Sequence, residues 1–131
     1  MTKRPDLFGD AANPARPKPG TVLAQIDDIA DPGAIVRDFR VGDALFSVLL
    51  TRQGQTVRAF FNICPHARYP LDRPDGRVVV QDGAYVVCAA HGASFRLGDG
   101  KCVAGPGLGD ALRALPITLS GADILASADQ N

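Results

Sequence analysis

From residue 21 onward the apolar positions fall into short runs rich in β-branched and aromatic residues, each ended by turn-forming residues. Runs at 21–26, 34–40, 44–51 and 56–62 are separated by Asp-Pro-Gly, Val-Gly-Asp and Arg-Gln-Gly-Gln breaks and read as strands. Further on, Val78-Val79-Val80-Gln81 and Ala84-Tyr85-Val86-Val87-Cys88 flank Asp82-Gly83. Asp-Gly between two apolar runs predicts a hairpin, because a type I′ turn wants positive φ at both central residues. Asp99-Gly100, between 94–97 and 101–103, and Ser120-Gly121, between 115–119 and 124–126, repeat the signal. Only 27–30 and 110–114 look like single helical turns. Phe60 and Phe61 are neighbours in a strand, so at most one is expected to face the core. Together these elements predict an all-β antiparallel sandwich or barrel.

Composition supports short strands over long helices. All 14 acidic residues are Asp, Arg outnumbers Lys by 11 to 3, and 14 glycines and 10 prolines punctuate the chain. Glu and Lys are strong helix formers, and their scarcity removes support for long helices. The 131 residues suit one domain. Fourteen basic against 14 acidic side chains leave no net charge, which argues against nucleic acid or an anionic membrane as partner. No apolar run approaches the roughly 20 residues that span a bilayer, and the first residues hold no apolar secretory core. A cytoplasmic protein is expected. Pro5, Pro14, Pro17 and Pro19 mark 1–20 as a flexible Pro-rich N-terminal tail, or else an arm docked on a partner or on the domain. The domain proper is placed at 21–127, with 128–131 as a C-terminal tail.

The chemistry is concentrated in two places. The chain has two histidines and three cysteines, and four of these fall in Cys64-Pro65-His66 and Cys88-Ala89-Ala90-His91-Gly92. Each cluster offers one thiolate and one imidazole at the end of a strand, a donor set for a metal. Two Cys and two His suit a tetrahedral zinc. Zinc fingers, however, usually put the two Cys on one knuckle and the two His on another. Cys-x-His followed by Cys-x-x-His suits instead a pair of irons, one taking both thiolates and the other both imidazoles. The alternative is unrelated core cysteines and surface histidines that coincide by chance. Cys102, outside both clusters, reads as a small buried hydrophobe.

These motifs resemble the Rieske-type 2Fe–2S ferredoxin family, specifically the low-potential ferredoxins of ring-hydroxylating oxygenase systems. The resemblance continues through Ala93-Ser94-Phe95, Gly98-Asp99-Gly100, Gly105-Pro106-Gly107 and Leu115-Pro116-Ile117, and covers about 21–127. It implies a small cluster-binding subdomain, with Cys64 and Cys88 holding the inner iron and His66 and His91 the outer, exposed one. Gly105-Pro106-Gly107 looks like the loop that covers the cluster. The segment 67–87 between His66 and Cys88 is longer than in most relatives, which is expected to lengthen the loop over 71–76 and the following hairpin. Respiratory relatives carry an extra cysteine in each ligand loop, where this chain has Tyr69 and Ala90. They also carry Ser and Tyr hydroxyls where it has Ala93 and Phe95. Fewer hydrogen bonds to the cluster lower its potential, so a value on the order of −150 mV is expected.

The resemblance implies a one-electron carrier that takes electrons from a reductase and passes them to a terminal oxygenase, such as an aromatic-ring hydroxylating dioxygenase. An oxygenase would need a mononuclear iron, normally held by two histidines and a carboxylate, and both histidines are already used. No Gly-rich nucleotide fingerprint is present. Two other readings are the small subunit of an assimilatory nitrite reductase and a cluster-free or zinc-bound β module with a structural or binding role. Mixed charges near the ligand loops (Arg68, Arg73, Arg96, Lys101, Asp72, Asp75, Asp99) read as a solvated rim, or as a patch that steers a partner.

Overall fold

The computed structural model describes residues 13–65, 69–88, 92–105 and 108–128. Among them are strands β1 (Val22–Gln25), β2 (Gly33–Val41), β3 (Ala44–Gln53), β4 (Thr56–Phe61), β5 (Val79–Gln81), β6 (Tyr85–Val87), β7 (Ser94–Arg96), β8 (Cys102–Ala104), β9 (Ile117–Ser120) and β10 (Asp123–Ala126). They form three antiparallel sheets, ordered β1-β10-β9, β2-β3-β4 and β5-β6-β7-β8. The all-β antiparallel architecture expected from the turn pattern is the one observed. The third sheet lies between β4 and β9 in the chain and carries the second cysteine loop between β6 and β7. Among the described residues no helix is long and apolar enough to cross a membrane.

The hairpin turns follow their sequence. β5 and β6 are joined through Asp82 and Gly83, both at positive φ (+56° and +63°), and Ala84 N–H donates to the Gln81 carbonyl at 3.1 Å. Asp99-Gly100 also lies in the turn between β7 and β8, but there only the glycine is at positive φ. Gly100, at φ +73°, sits where a Cβ would come within 2.7 Å of the Phe60 ring. The longer connection ahead of β5 contains its own turn, with Arg73 N–H donating to the Arg77 carbonyl at 2.7 Å.

The β2-β3-β4 sheet is covered on both faces. Successive strand residues point to opposite sides, so Phe46, Val48, Leu50, Val57, Ala59 and Phe61 face a core shared with Leu23, Ile124 and Ala126 of the first sheet. Leu49 and Phe60 face a second core shared with Val86, Phe95 and Cys102 of the third. Phe60 and Phe61 are therefore both buried, each 2% exposed. The expectation that only one faces a core fails because two sheets, not one, pack on this strand.

The helical turn expected at 27–30 is present as a single 3-10 turn at Ile26–Asp28. The one expected at 110–114 is not. That segment is extended and forms isolated bridges, Ala111 to Lys101 and Ala114 to Phe60. Its backbone pairs with flanking strands, with Leu112 N–H donating to Gly100 O at 2.8 Å and Phe61 N–H to Arg113 O at 2.9 Å. Leu112 and Leu115 are buried there, one in each core. Tertiary pairing and burial outweigh the local helical preference.

Residues 13–20, within the N-terminal segment, lie against the domain. Ala15 is buried, Asn13 Nδ2 donates to Leu45 O at 3.0 Å, and Gly20 N–H donates to Ala126 O at 2.8 Å. The Arg16 guanidinium stands 5.5 Å from the Phe61 ring centroid. Residues 1–12 and 129–131 lie outside the described residues.

Candidate metal centre

The two cysteine-bearing loops leave the sheets differently but close alike. The first follows β4. There the Cys64 N–H donates to the Tyr69 carbonyl at 2.8 Å, and in the second loop the Cys88 N–H donates to Ala93 O at 2.7 Å. Each bond ties a cysteine to the carbonyl five residues on. His66 and His91 fall by sequence inside these two segments but lie outside the described residues, as do Ala67, Arg68, Ala89 and Ala90.

The second loop connects β6 to β7, whose register pairs Val87 with Ser94 immediately outside it. Gly92, at φ +76°, donates its N–H back to Cys88 O at 2.9 Å. Gly105 packs on this loop so closely that a Cβ there would lie 3.0 Å from Ala93 Cα and 3.1 Å from Gly92 O. Pro106 and Gly107, expected to belong to a covering loop, lie outside the described residues, but Gly105 rests on the second cysteine loop.

The first loop is held by a side chain outside both Cys–His motifs. Asn62 is fully buried. Its Oδ1 accepts from Leu71 N–H at 2.9 Å, and its Nδ2 donates to Asp72 Oδ1 at 2.9 Å and to Ser47 Oγ at 3.0 Å. The available signal was a polar residue directly after Phe60-Phe61 and two before Cys64. It meant little until both neighbouring faces were known to be buried.

Cys64 and Cys88 are fully buried and belong to one apolar cluster with Leu71, Ala93 and Phe95. No cysteine is in a disulfide. Two cysteines buried in one apolar cluster, each at the base of its own loop, are a sulfur donor pair of the kind that holds iron in an iron–sulfur centre, so the donor set fits an iron taking both. Among the described residues no three His, Cys, Asp or Glu side chains gather as a metal site. Cys102, although in the same core, therefore does not join the pair, and its Sγ donates to Ala104 O at 3.3 Å. Ala93 and Phe95 are fully buried and bring no side-chain donor, whereas Tyr69 is 48% exposed.

Away from the cysteines, the β7–β8 hairpin is clasped by a two-pronged ion pair. Arg96 Nε donates to Asp99 Oδ1 at 3.0 Å, and Nη2 donates to Oδ2. The hydrogen bond from Arg96, followed by that from the Lys101 N–H, holds the Asp99 carboxyl below the usual carboxylate range.

An antiparallel β domain presenting two matched cysteine loops, each with a histidine in its sequence, is the frame of an iron–sulfur protein. The Rieske [2Fe-2S] domain model matches residues 21–117, and the chain belongs to that family. The cofactor of the family is the Rieske-type 2Fe–2S cluster. Among solved structures, the ferredoxin of carbazole 1,9a-dioxygenase from Nocardioides aromaticivorans IC177 is 23% identical, with a TM-score of 0.63 over 86% of this chain and 100% of that one. The terminal oxygenase of carbazole 1,9a-dioxygenase from Novosphingobium sp. KA1 is 22% identical, with a TM-score of 0.66, over 88% of this chain but only 31% of its own. A chain from a complex of reduced oxygenase and oxidised ferredoxin of carbazole 1,9a-dioxygenase is 19% identical, with a TM-score of 0.63, over 85% of this chain and 94% of its own. No curated protein sequence matches significantly.

Proposed function

We propose that the protein is a Rieske-type ferredoxin, a one-electron carrier that accepts an electron from a reductase and delivers it to a terminal oxygenase of the aromatic-ring hydroxylating kind. Cys64 and Cys88 hold the inner iron, and His66 and His91 hold the outer one. The bound cluster supplies the one-electron chemistry, and the chain's own residues fix the ligand loops and keep water from the thiolates. The observation that carries this reading is the span of the likeness. The chain covers a stand-alone ferredoxin along its whole length but about a third of an oxygenase. Ferredoxin and oxygenase also occur together in a solved complex of the carbazole system, which supports an oxygenase as the acceptor here.

Two further features agree. Tyr69 and Leu108, on segments of the first ligand loop and the covering loop, are 48% and 70% exposed and offer apolar contact to a partner. The absence of disulfides among the three buried cysteines suits a reducing cytoplasm. On this reading the protein is an electron-transfer component of an oxidoreductase system and not an enzyme by itself.

The test is electron delivery. Dithionite-reduced protein is mixed anaerobically with oxidised ring-hydroxylating oxygenase, and the two spectra are followed. Reoxidation by one electron per molecule, with product formed on adding oxygen and aromatic substrate only when both proteins are present, is the expected result. Product from the isolated protein, or electrons accepted only by a nitrite reductase, contradicts it.

A further inference from the structure

The first ligand loop occupies a long connection between two different sheets, and no hairpin fixes its shape. Its ends are instead joined through one buried carboxamide. The Asn62 side chain has two N–H donors and a carbonyl acceptor, and every one is engaged. Oδ1 takes the Leu71 N–H, and Nδ2 serves Asp72 Oδ1 and Ser47 Oγ. The network reaches further, because Ser47 Oγ donates to Asp38 Oδ1 on β2 at 2.5 Å. The Asn62 backbone is also pinned, its N–H donating to Ser47 O at 3.0 Å. Two closures are thus nested, the backbone bond from Cys64 to Tyr69 inside and the Asn62 side chain to Leu71 and Asp72 outside.

We propose that Asn62 is the positioning residue of the first ligand loop, tying the chain just before Cys64 to Leu71 and Asp72 beyond it and so fixing the segment that carries Cys64 and His66. This rests on the reading of those two residues as cluster ligands. A group buried this deeply is retained only when its hydrogen bonds are satisfied. Its partners lie on both sides of the loop base, so losing it frees the loop while leaving the strands paired. The second loop has no equivalent, because its base is the β6–β7 pairing itself.

The experiment compares Asn62→Leu with Ser47→Ala in the full-length, iron-loaded protein. Both break the same network, but Ser47→Ala does so on the side away from the ligand loop. Three quantities are measured: melting temperature, the EPR spectrum of the reduced protein, and the rate at which a ferrous chelator strips the iron. Asn62→Leu is expected to lose iron faster, by on the order of tenfold, the lower end of the affinity loss on removing a group that orients a metal ligand, and to shift the g values. Ser47→Ala keeps the wild-type rate and spectrum even where its melting temperature falls as far. A wild-type rate and spectrum in Asn62→Leu, or changes in both variants that simply follow their stability, overturn the proposal. Should Asn62→Leu fail to fold, Asp72→Ala carries the test with a smaller expected acceleration, and an unchanged rate there overturns it. Wild-type protein without a Rieske-type signal defeats the ligand reading itself, a failure visible before any substitution is made.

Discussion

The two cysteine loops, the proposed ligand loops, begin alike, each closed by its cysteine N–H on the carbonyl five residues ahead, and then differ in what they stand on. The second is a hairpin connection. Its base is the Val87–Ser94 pair, its interior is small (Gly92 and Ala93), and Gly105 lies on top of it. The first leaves one sheet and reaches another only at β5, and its base is held by Asn62 and by Leu71, which is fully buried beside Cys64. One loop takes its shape from sheet register and close backbone packing. The other takes it from two buried side chains. Equivalent chemistry at the two cysteines therefore depends on unlike parts of the sequence, and substitutions separate them.

The largest effect is at the ligands. Cys64→Ser and Cys88→Ser each abolish a stably bound cluster, measured as iron per protein and visible absorption; full iron content in either variant would break the symmetry at the heart of the comparison. Next is the apolar anchor of the first loop. Leu71→Ala is expected to destabilise the fold by about 2–5 kcal/mol, as for other buried leucines, and to speed iron loss, read by denaturant unfolding and chelation.

The matching test in the second loop uses glycine. Gly92 and Gly105 both sit at positive φ, where a side chain adds about 1–2 kcal/mol of strain. Gly105→Ala additionally drives a methyl to within 3.0 Å of Ala93 Cα, whereas at Gly92 a Cβ meets nothing within 4 Å among the described residues. Thermal denaturation should therefore rank Gly105→Ala as the more damaging, and equal losses would show that the covering loop does not press on the second ligand loop.

The smallest effect concerns the β7–β8 hairpin. Because folding lowers the Asp99 carboxyl below its ordinary value, its contribution is complete above the unfolded carboxylate value of about 3.9 and is lost as pH falls through the lower folded value. Asp99→Asn should lower the melting temperature slightly at neutral pH, and the gap should close on acidification below that unfolded value. A gap that widens on acidification contradicts the sign.

Most strand positions and both cysteine loops were legible in the sequence because their signals are local. Asp82-Gly83 carries the conformational preference of its turn, and a Cys–His pair carries its donor chemistry whatever surrounds it. What escaped depends on the third layer. Phe60 and Phe61 read as one buried and one uncovered residue until sheets are placed on both faces of β4. The 110–114 segment read as helical because its backbone partners, at Gly100 and Phe61, lie far away in the chain. Asn62 is the functional counterpart of the same blindness. A polar residue next to a ligand motif resembles any loop residue until its three hydrogen-bond partners, drawn from β3 and from beyond the loop, are assembled around it.

The central claim is that two buried thiolates and two imidazoles share one pair of irons. Low-temperature EPR of the anaerobically purified protein, before and after dithionite, tests it directly. The oxidised sample is expected to be silent and the reduced one to give a rhombic signal of low average g, with nitrogen coupling that is altered in His66→Cys and in His91→Cys. A reduced sample that stays silent with zinc in place of iron, or an iron signal without nitrogen coupling, would contradict it.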